Sequence, residues 1–287
     1  IQWAVQGLVP DGVTILAGSK SRGKSFIALD LAAAVAAGRA ALGNIDCEQG
    51  AVLYLGLEDG ERRIQARMRA ILQGSPMPPA LDIATEWRVL PDGLDDIELW
   101  IDSRPAARLI IVDVLAKIKG RPDTERGVYD QDYQLITPFH ALARKHGIAI
   151  ALVHHTNKAG ASDPVLRISG TMGLSGAADT TLVLSREARD MHGTIDVRGR
   201  DVPEREIALQ FDKDTGCVTQ LGAADDFRKS QERRAIIRAL IDLGSATPAE
   251  IAQALGKKAV TIRSALMRMK RAGEIMVLSD GKYVANE

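Results

Sequence analysis

The strongest constraint on the fold of this chain is the segment from Gly18 to Ser25, which reads Gly-Ser-Lys-Ser-Arg-Gly-Lys-Ser. It matches G-x-x-x-x-G-K-[ST], the pattern of a phosphate-binding P-loop. Residues 13–17 before it are suited to a β-strand, and the alanine-rich residues 26–37 after it predict a helix. A strand, this loop and a helix form the context that gives the pattern its meaning. The alternative interpretation is an ordinary glycine turn.

Each residue type in the loop has a physical reason. Glycines let backbone N–H groups approach phosphates closely, and the helix N-terminus adds a positive partial charge. We expect Lys24 to contact the terminal phosphates of ATP and the Ser25 hydroxyl to bind Mg²⁺. The residues predicted to bind ATP are Gly18, Ser19, Lys20, Ser21, Arg22, Gly23, Lys24, Ser25 and Phe26.

Length and composition indicate a globular protein with either one large domain or one large and one small domain. The chain has 287 residues, 46% of them hydrophobic, and no apolar run long enough to cross a bilayer. Cys47 and Cys217 lie far apart without metal-ligand spacing, which fits a reducing cytoplasm. Residues 1–227 carry 25 Lys and Arg against 31 Asp and Glu, whereas residues 228–287 carry 12 against 6. A basic tail on an acidic body suggests a nucleic-acid partner.

Apolar strands that alternate with helices predict an α/β fold with a mostly parallel sheet. Ligands bind at the carboxyl ends of such strands, and Gly18, Glu58, Asp113 and His154 all follow or end predicted strands. Asp113 is therefore the expected partner of Ser25 at Mg²⁺. Further expectations are strands at 51–57, 87–90, 109–113, 148–153 and 180–185, a polar loop at 117–131 and a helix at 133–145.

The domains are predicted as an ATPase domain over 1–222, a linker at 223–229 and a small domain over 230–287. The small domain begins with a helix capped by Ser230, and a capping box at 247–250 starts a second helix. A third helix from Lys258 and a hairpin at 279–281 complete a winged helix-turn-helix, a DNA-binding fold. The alternative is a protein-interaction module. The predicted contacts to duplex DNA are Lys257, Thr261, Ser264, Arg268 and Arg271.

Over residues 5–222 the sequence resembles the RecA-like hexameric ATPases. The most similar members are the plasmid RepA-type replicative helicases and the AAA ATPases of phages and mobile elements; DnaB-type helicases are more distant. The motifs that carry this resemblance lie at 17–25, 55–59, 110–113, 153–156, 169–171 with 176–179, and 198–200. The resemblance implies a RecA-like fold, ATP and Mg²⁺ as cofactors, and a homo-hexameric ring.

The resemblance also implies roles for single residues. Glu58 matches the carboxylate that activates the attacking water, with Asp59 as the alternative. His154 or His155 matches the sensor of the γ-phosphate, and a metal site is the competing interpretation of this pair. Arg198 and Arg200 match the basic pair that reaches the neighbouring subunit's ATP; DnaB-type proteins have Lys at the first position, and the alternative here is a solvated basic strand end. Within one chain, Arg22 is the only evident arginine near the P-loop.

In this family single-stranded DNA passes through the ring channel along the loops that follow the Asp113 and His155 strands. Basic residues there are Lys117, Lys119, Arg121, Arg126, Lys158 and Arg167; plain surface loops are the alternative. We therefore expect an ATP-hydrolysing motor acting on DNA, a helicase or replication ATPase of a phage, plasmid or integrated element, with no membrane partner. The alternatives are a DNA-bound regulatory or loader ATPase without unwinding activity, and a winged-helix repressor that senses nucleotide.

Overall fold

The computed structural model describes residues 1–120, 128–156 and 173–286, with side chains omitted at 128, 129 and 173. It divides into two compact units, residues 1–222 and residues 223–287. Among the described residues, no helix has the length and apolar character needed to cross a membrane.

The first unit consists of strands interleaved with helices. Its strands are β1 (Trp3–Val5), β2 (Val9–Pro10), β3 (Gly12–Gly18), β4 (Ala51–Gly56), β5 (Leu81–Ala84), β6 (Ala107–Asp113), β7 (Ala149–His155), β8 (Thr180–Ser185), β9 (His192–Gly199), β10 (Arg205–Phe211) and β11 (Val218–Ala223). Its helices are α1 (Lys24–Ala37), α2 (Glu61–Leu72), α3 (Asp92–Asp102), α4 (Leu115–Ile118), α5 (Val128–His146) and α6 (Gly173–Ala177).

Of the described strands, nine form one sheet in the order β11-β10-β9-β8-β3-β7-β6-β4-β5. The six strands from β8 to β5 are parallel to one another, and β9 is antiparallel to both β8 and β10. The P-loop strand β3 lies between β7 and β8, so the loop that follows it emerges near the middle of the sheet.

Helices cover both faces of the sheet, and successive residues of each strand contribute to opposite faces. Leu16 and Tyr54 belong to one core cluster, together with residues of α1 and α2. Ile15 and Leu53, one position earlier on the same strands, belong to the other, with residues of α3 and α5. Burial on both faces explains why the sequence shows apolar runs rather than alternation. The predicted α/β fold with a mostly parallel sheet is confirmed.

Two local predictions in the first unit are wrong. Residues 87–90 do not form a strand: the Trp87 indole N–H donates to the Gly93 carbonyl at 2.8 Å, so this segment folds against the start of α3. The strand of this region is instead β5, at the edge of the sheet beside β4. In addition, α5 begins at Val128, inside the region predicted as a polar loop.

The second unit contains α7 (Ala224–Leu243), α8 (Pro248–Ala254), α9 (Ala259–Arg271) and the antiparallel strands β12 (Ile275–Val277) and β13 (Tyr283–Ala285). Its core consists of apolar residues from the three helices and β12, among them Ile236, Leu240, Ile251, Leu266 and Ile275. The capping box before α8 is present: Thr247 accepts the Glu250 N–H and donates its own N–H to the Glu250 carboxylate at 2.7 Å.

The segment predicted as a linker is helical, because α7 begins at Ala224 and continues through it. Asp225 and Asp226 occupy its first turn, where negative charge complements the helix dipole. They also pair with Arg228 at 2.8 Å and Lys229 at 3.3 Å, one turn further along. The Ser230 cap is therefore also wrong, since Ser230 lies inside α7.

Candidate nucleotide site

The P-loop connects β3 to α1 and requires glycine at two positions for different reasons. A Cβ at Gly18 would lie 2.9 Å from the Leu184 carbonyl oxygen of the adjacent β8. Gly23 has a φ of +108°, and a Cβ there would lie 2.7 Å from a ring carbon of Phe211. The loop is thus tightly enclosed by β8 and β10, which positions its backbone.

Lys24 is the first residue of α1 and is almost completely buried. Its ammonium group donates to the Gly18 carbonyl at 2.7 Å and to the Ser19 carbonyl at 2.9 Å. Burial lowers the pKa of Lys24 to about 8, although the negative charges of Asp113 and Glu58 act in the opposite direction. A cation that is poorly solvated and held inside the loop is suited to bind phosphate oxygens.

Asp113 ends β6 and is also buried. Its carboxylate accepts a hydrogen bond from the Tyr54 hydroxyl at 2.6 Å, and the nearby Ser25 hydroxyl also favours the ionised form of this carboxylate. Burial raises the pKa of Asp113 against the effect of these two hydroxyls. Burial and the adjacent Asp113 also raise the pKa of Tyr54, so its phenol remains a proton donor. Ser25 and Asp113 thus present adjacent oxygen ligands of the kind that Mg²⁺ prefers, and the residues present fit this ion.

Glu58 follows β4 and contacts two basic groups. His155, the last residue of β7, lies with Nε2 3.0 Å from Glu58 Oε2, and the Lys20 ammonium lies 3.4 Å from Oε1. Partial burial by itself would raise the pKa of Glu58, but the hydrogen bonds and charges of His155 and Lys20 lower it. Of the two histidines, His155 is the one that contacts Glu58. Among the described residues, no group of three or more His, Cys, Asp and Glu side chains is arranged to bind a metal.

Asp59, the alternative to Glu58, is ion-paired with two arginines of α2. Arg63 lies 2.5 Å from one carboxylate oxygen and Arg67 contacts the other. The Arg67 guanidinium also lies over the Phe26 ring, 5.4 Å from its centroid. Neither arginine is among the site residues predicted from the sequence. Asp59, Arg63 and Arg67 follow one another at intervals of four residues, a spacing that could have indicated this ion-paired group.

Arg186, which directly follows β8, is a further residue that sequence reasoning missed. Its guanidinium stacks on Phe211, 3.8 Å from the ring centroid, and donates to the Arg22 carbonyl at 3.4 Å. The expectation that Arg22 is the only arginine near the P-loop in the same chain is therefore wrong.

These residues surround a cleft of about 400 Å³. Of the described side chains that line it, seven are basic and three are carboxylates. The basic residues are Lys20, Arg22, Lys24, Arg63, Arg67, Arg186 and Lys213, and the acidic ones are Glu58, Asp59 and Asp212. An excess of positive charge around a P-loop fits the triphosphate of ATP.

Arg198 and Arg200 lie near the end of the sheet where β3 and β8 begin, whereas the P-loop of the same chain follows the carboxyl end of β3. Gly199, at the end of β9, pairs with Thr180 of β8, which in turn pairs with Thr14 of β3. From Thr14 the strand runs four more residues, about 13 Å, before the P-loop begins. The two arginines are therefore separated from the cleft of their own chain.

The residues predicted to bind DNA are distributed over both units. In the first unit, Lys117 is an exposed residue of α4 and Lys119 follows it. The candidates Arg121, Arg126, Lys158 and Arg167 lie outside the described residues. In the second unit the candidate side chains are exposed, but two of them are ion-paired with Glu232 of α7. The Lys257 ammonium lies 3.0 Å and the Arg268 guanidinium 3.9 Å from its carboxylate.

Comparisons with solved structures agree with this architecture. One solved ATPase domain superposes with a TM-score of 0.57 at 16% identity, over 74% of this chain and 85% of that one. A DnaB-like replicative helicase, whose structure was described with its interactions with primase, superposes with a TM-score of 0.59 at 15% identity, over 74% of this chain and 58% of that one. The RadB recombinase superposes with a TM-score of 0.53 at 16% identity, over 75% of this chain and 93% of that one.

These superpositions show that the fold is that of RecA-like P-loop ATPase domains. The comparison with curated proteins finds no match. A family model described as an AAA domain, AAA_25, matches residues 1–161, which is more than half of the chain. The chain belongs to this AAA-domain family.

Proposed function

We propose that this protein hydrolyses ATP with Mg²⁺ and works as a ring-forming motor on DNA. The observation that carries the proposal is the convergence of Lys24, Ser25 and Glu58 at one electropositive cleft, with the buried Asp113 carboxylate next to Ser25. These groups match the requirements of phosphoryl transfer, which are charge compensation, a metal site and a carboxylate that orients water.

In this mechanism each side chain has one task. Lys24 would bind terminal phosphate oxygens, and Ser25 with Asp113 would hold Mg²⁺, which would supply positive charge to the phosphates. Glu58 has a lowered pKa and is therefore ionised near neutral pH, so it can accept a hydrogen bond and a proton from water. Asp59 is less suited to this role because two arginines, Arg63 and Arg67, hold its oxygens at shorter distances than His155 and Lys20 hold those of Glu58. His155 lies where it can report the γ-phosphate state to Glu58.

The test is the variant Glu58→Gln, which keeps the shape of the side chain and removes the base. We expect ATP binding to remain and hydrolysis to fall at least about 100-fold. The matched control is Glu61→Gln, an exposed glutamate in the first turn of α2, which should hydrolyse ATP at the normal rate. Normal turnover in Glu58→Gln would remove Glu58 from the mechanism, and absence of any ATPase activity in the parent protein would refute the proposed function.

We further propose that the ring is a homo-hexamer in which the basic pair of one subunit acts at the ATP of the next. The distance of Arg198 and Arg200 from the cleft of their own chain supports a role in trans. The Arg198 guanidinium lies 2.7 Å from Asp196 on the same strand, so we assign the finger role to Arg200. A trans arginine would supply positive charge to the γ-phosphate.

For DNA we propose two contact regions. The three helices and the β12–β13 hairpin fit a winged helix whose α9 contacts duplex DNA. Single-stranded DNA would contact Lys117 and Lys119, with Arg121, Lys158 and Arg167, in the ring channel. Glu232 pairs with Lys257 and Arg268. Of the predicted DNA-binding cations on α9, Arg271 therefore forms no ion pair among the described residues, and Thr261 and Ser264 add hydroxyls.

We propose a replicative helicase or replication ATPase of a phage, plasmid or integrated element.

The basic second unit also supports a second candidate, a DNA-bound regulatory or loader ATPase that does not unwind DNA. The two differ in one measurement. A helicase displaces a labelled strand from a forked duplex in the presence of ATP and not of a non-hydrolysable analogue. A regulatory ATPase binds the same substrate and hydrolyses ATP without releasing the strand.

A further inference from the structure

We propose that Tyr54 is a positioning residue for the metal-binding carboxylate: its buried hydroxyl holds Asp113 beside Ser25 in the orientation that receives Mg²⁺. This inference rests on the proposed Mg²⁺–ATP site and adds a residue that acts only through Asp113.

The register of the sheet places this hydroxyl at Asp113. Tyr54 of β4 lies opposite Ile111 of β6, and Gly56 lies opposite Asp113. Residues two positions apart on a strand share a face, so Tyr54 and Asp113 are diagonal neighbours on the face covered by α1. A tyrosine spans this diagonal, and its Oη lies 2.6 Å from Asp113 Oδ2.

The tyrosine ring is held rigidly in this position. It is 1% exposed and belongs to the core cluster that includes Val52, Ile64 and Ile111. Gly56 leaves room for it, since a Cβ at that position would lie 3.0 Å from the Tyr54 ring and 2.5 Å from Ile64. The hydroxyl therefore approaches Asp113 from a direction that packing determines.

The chemistry of the donor explains why a tyrosine is suited to this position. A buried carboxylate requires hydrogen-bond donors, because an unsatisfied acceptor is costly away from water. An arginine or lysine would satisfy it but would also neutralise the charge that attracts a divalent cation. The neutral Tyr54 hydroxyl fixes the carboxylate and leaves its negative charge available. Groups that orient metal ligands in this way typically change metal affinity about 10–100-fold when they are removed.

The test measures metal binding separately from catalysis. Tyr54→Phe removes only the hydroxyl. We expect the affinity for Mn²⁺ in the presence of a fluorescent ATP analogue, followed by electron paramagnetic resonance, to fall about 10-fold or more. Binding of the same analogue in EDTA should change less than about twofold. The matched control is Tyr133→Phe, whose side chain is half exposed on α5, the helix that covers the opposite face of the sheet from Tyr54; it should leave both affinities unchanged.

A second variant approaches the same contact differently. Gly56→Ala should displace the Tyr54 ring and weaken Mn²⁺ binding in the same direction, with Asp113 and Tyr54 both retained. Unchanged Mn²⁺ affinity in folded Tyr54→Phe would overturn the inference, as would an equal loss of metal-free and metal-dependent nucleotide binding. If the parent protein binds the analogue but shows no Mn²⁺ dependence, the inference and the proposed metal site fail together. If nucleotide binding by the parent protein depends on Mn²⁺ and Tyr54→Phe has the same Mn²⁺ affinity as the parent, the proposed function stands and the inference alone fails.

Discussion

Replacement of Gly23 by alanine directly tests whether the P-loop is held in shape by its glycine and by the neighbouring strand. The new Cβ meets two obstacles. The φ of +108° is unfavourable for any residue with a side chain, and the ring carbon Cε1 of Phe211 would lie 2.7 Å away. Phe211 is itself buried at the end of β10 and stacked by Arg186, so it has little room to move.

The expected cost follows from these two terms. A left-handed backbone conformation costs an L-residue roughly 1–2 kcal/mol. Overpacking against a fixed neighbour adds roughly 1–3 kcal/mol. We therefore expect Gly23→Ala to lower the free energy of unfolding by about 2–5 kcal/mol, together with loss of nucleotide binding. The double variant Gly23→Ala/Phe211→Leu, measured against Phe211→Leu alone, should recover about 1 kcal/mol or more of the overpacking term and none of the backbone term.

Urea unfolding followed by tryptophan fluorescence is the suitable assay. The three tryptophans, Trp3, Trp87 and Trp100, all lie in residues 1–222, so the signal reports the unit that contains the P-loop. The control is Gly60→Ala, because Gly60 has a φ of −73° and no atom within 4 Å of an added Cβ. Its stability should change by less than about 0.5 kcal/mol or rise slightly. Equal stabilities of the Gly23 and Gly60 variants would refute the reasoning.

Two further predictions concern assembly and DNA. Arg200→Ala should bind ATP normally and hydrolyse it about 10³-fold more slowly, and mixing it with Lys24→Ala protein should restore activity; a mixture that stays inactive despite confirmed co-assembly would exclude action in trans. In the full chain, Arg271→Ala should weaken binding of duplex DNA and reduce the slope of log K against log salt by about 0.9. Lys257→Ala should have a smaller effect on both quantities, because Lys257 is already paired with Glu232. The reverse order would show that the proposed DNA-binding face of α9 is wrong.

The parts of the molecule that could be predicted are those encoded by short-range spacing. The P-loop is one continuous segment with a strand before it and a helix after it, so residues 18–25 predict their own local structure. Asp113 was assigned because it ends an apolar strand, and parallel strands align their carboxyl ends without any knowledge of strand order. The capping box at Thr247 is equally local, since both of its hydrogen bonds span three residues.

The parts that could not be predicted depend on which strands are neighbours. Tyr54 has the sequence signature of a core residue, and only the pairing of β4 with β6 brings its hydroxyl to Asp113. Arg186 becomes a cleft residue because β8 pairs with β3, an arrangement that no local pattern specifies. The helical structure of 224–229 was not predicted for another reason: its charged residues resemble a solvated connection, but their i,i+3 pairing supports a helix.

The electrostatics of the cleft connect these features. Burial disfavours the charged form of Lys24 and also that of Asp113, so the pKa of the lysine is lowered and the pKa of the carboxyl is raised. Within the protein, Lys24 is bound by uncharged carbonyls, and Asp113 is bound by uncharged hydroxyls. A phosphate beside Lys24 and a divalent cation beside Asp113 would each favour the charged form of the buried group. Binding of both together would therefore place an opposite charge beside each of two buried groups that form no ion pair among the described residues, and this would favour Mg²⁺–ATP over either component alone.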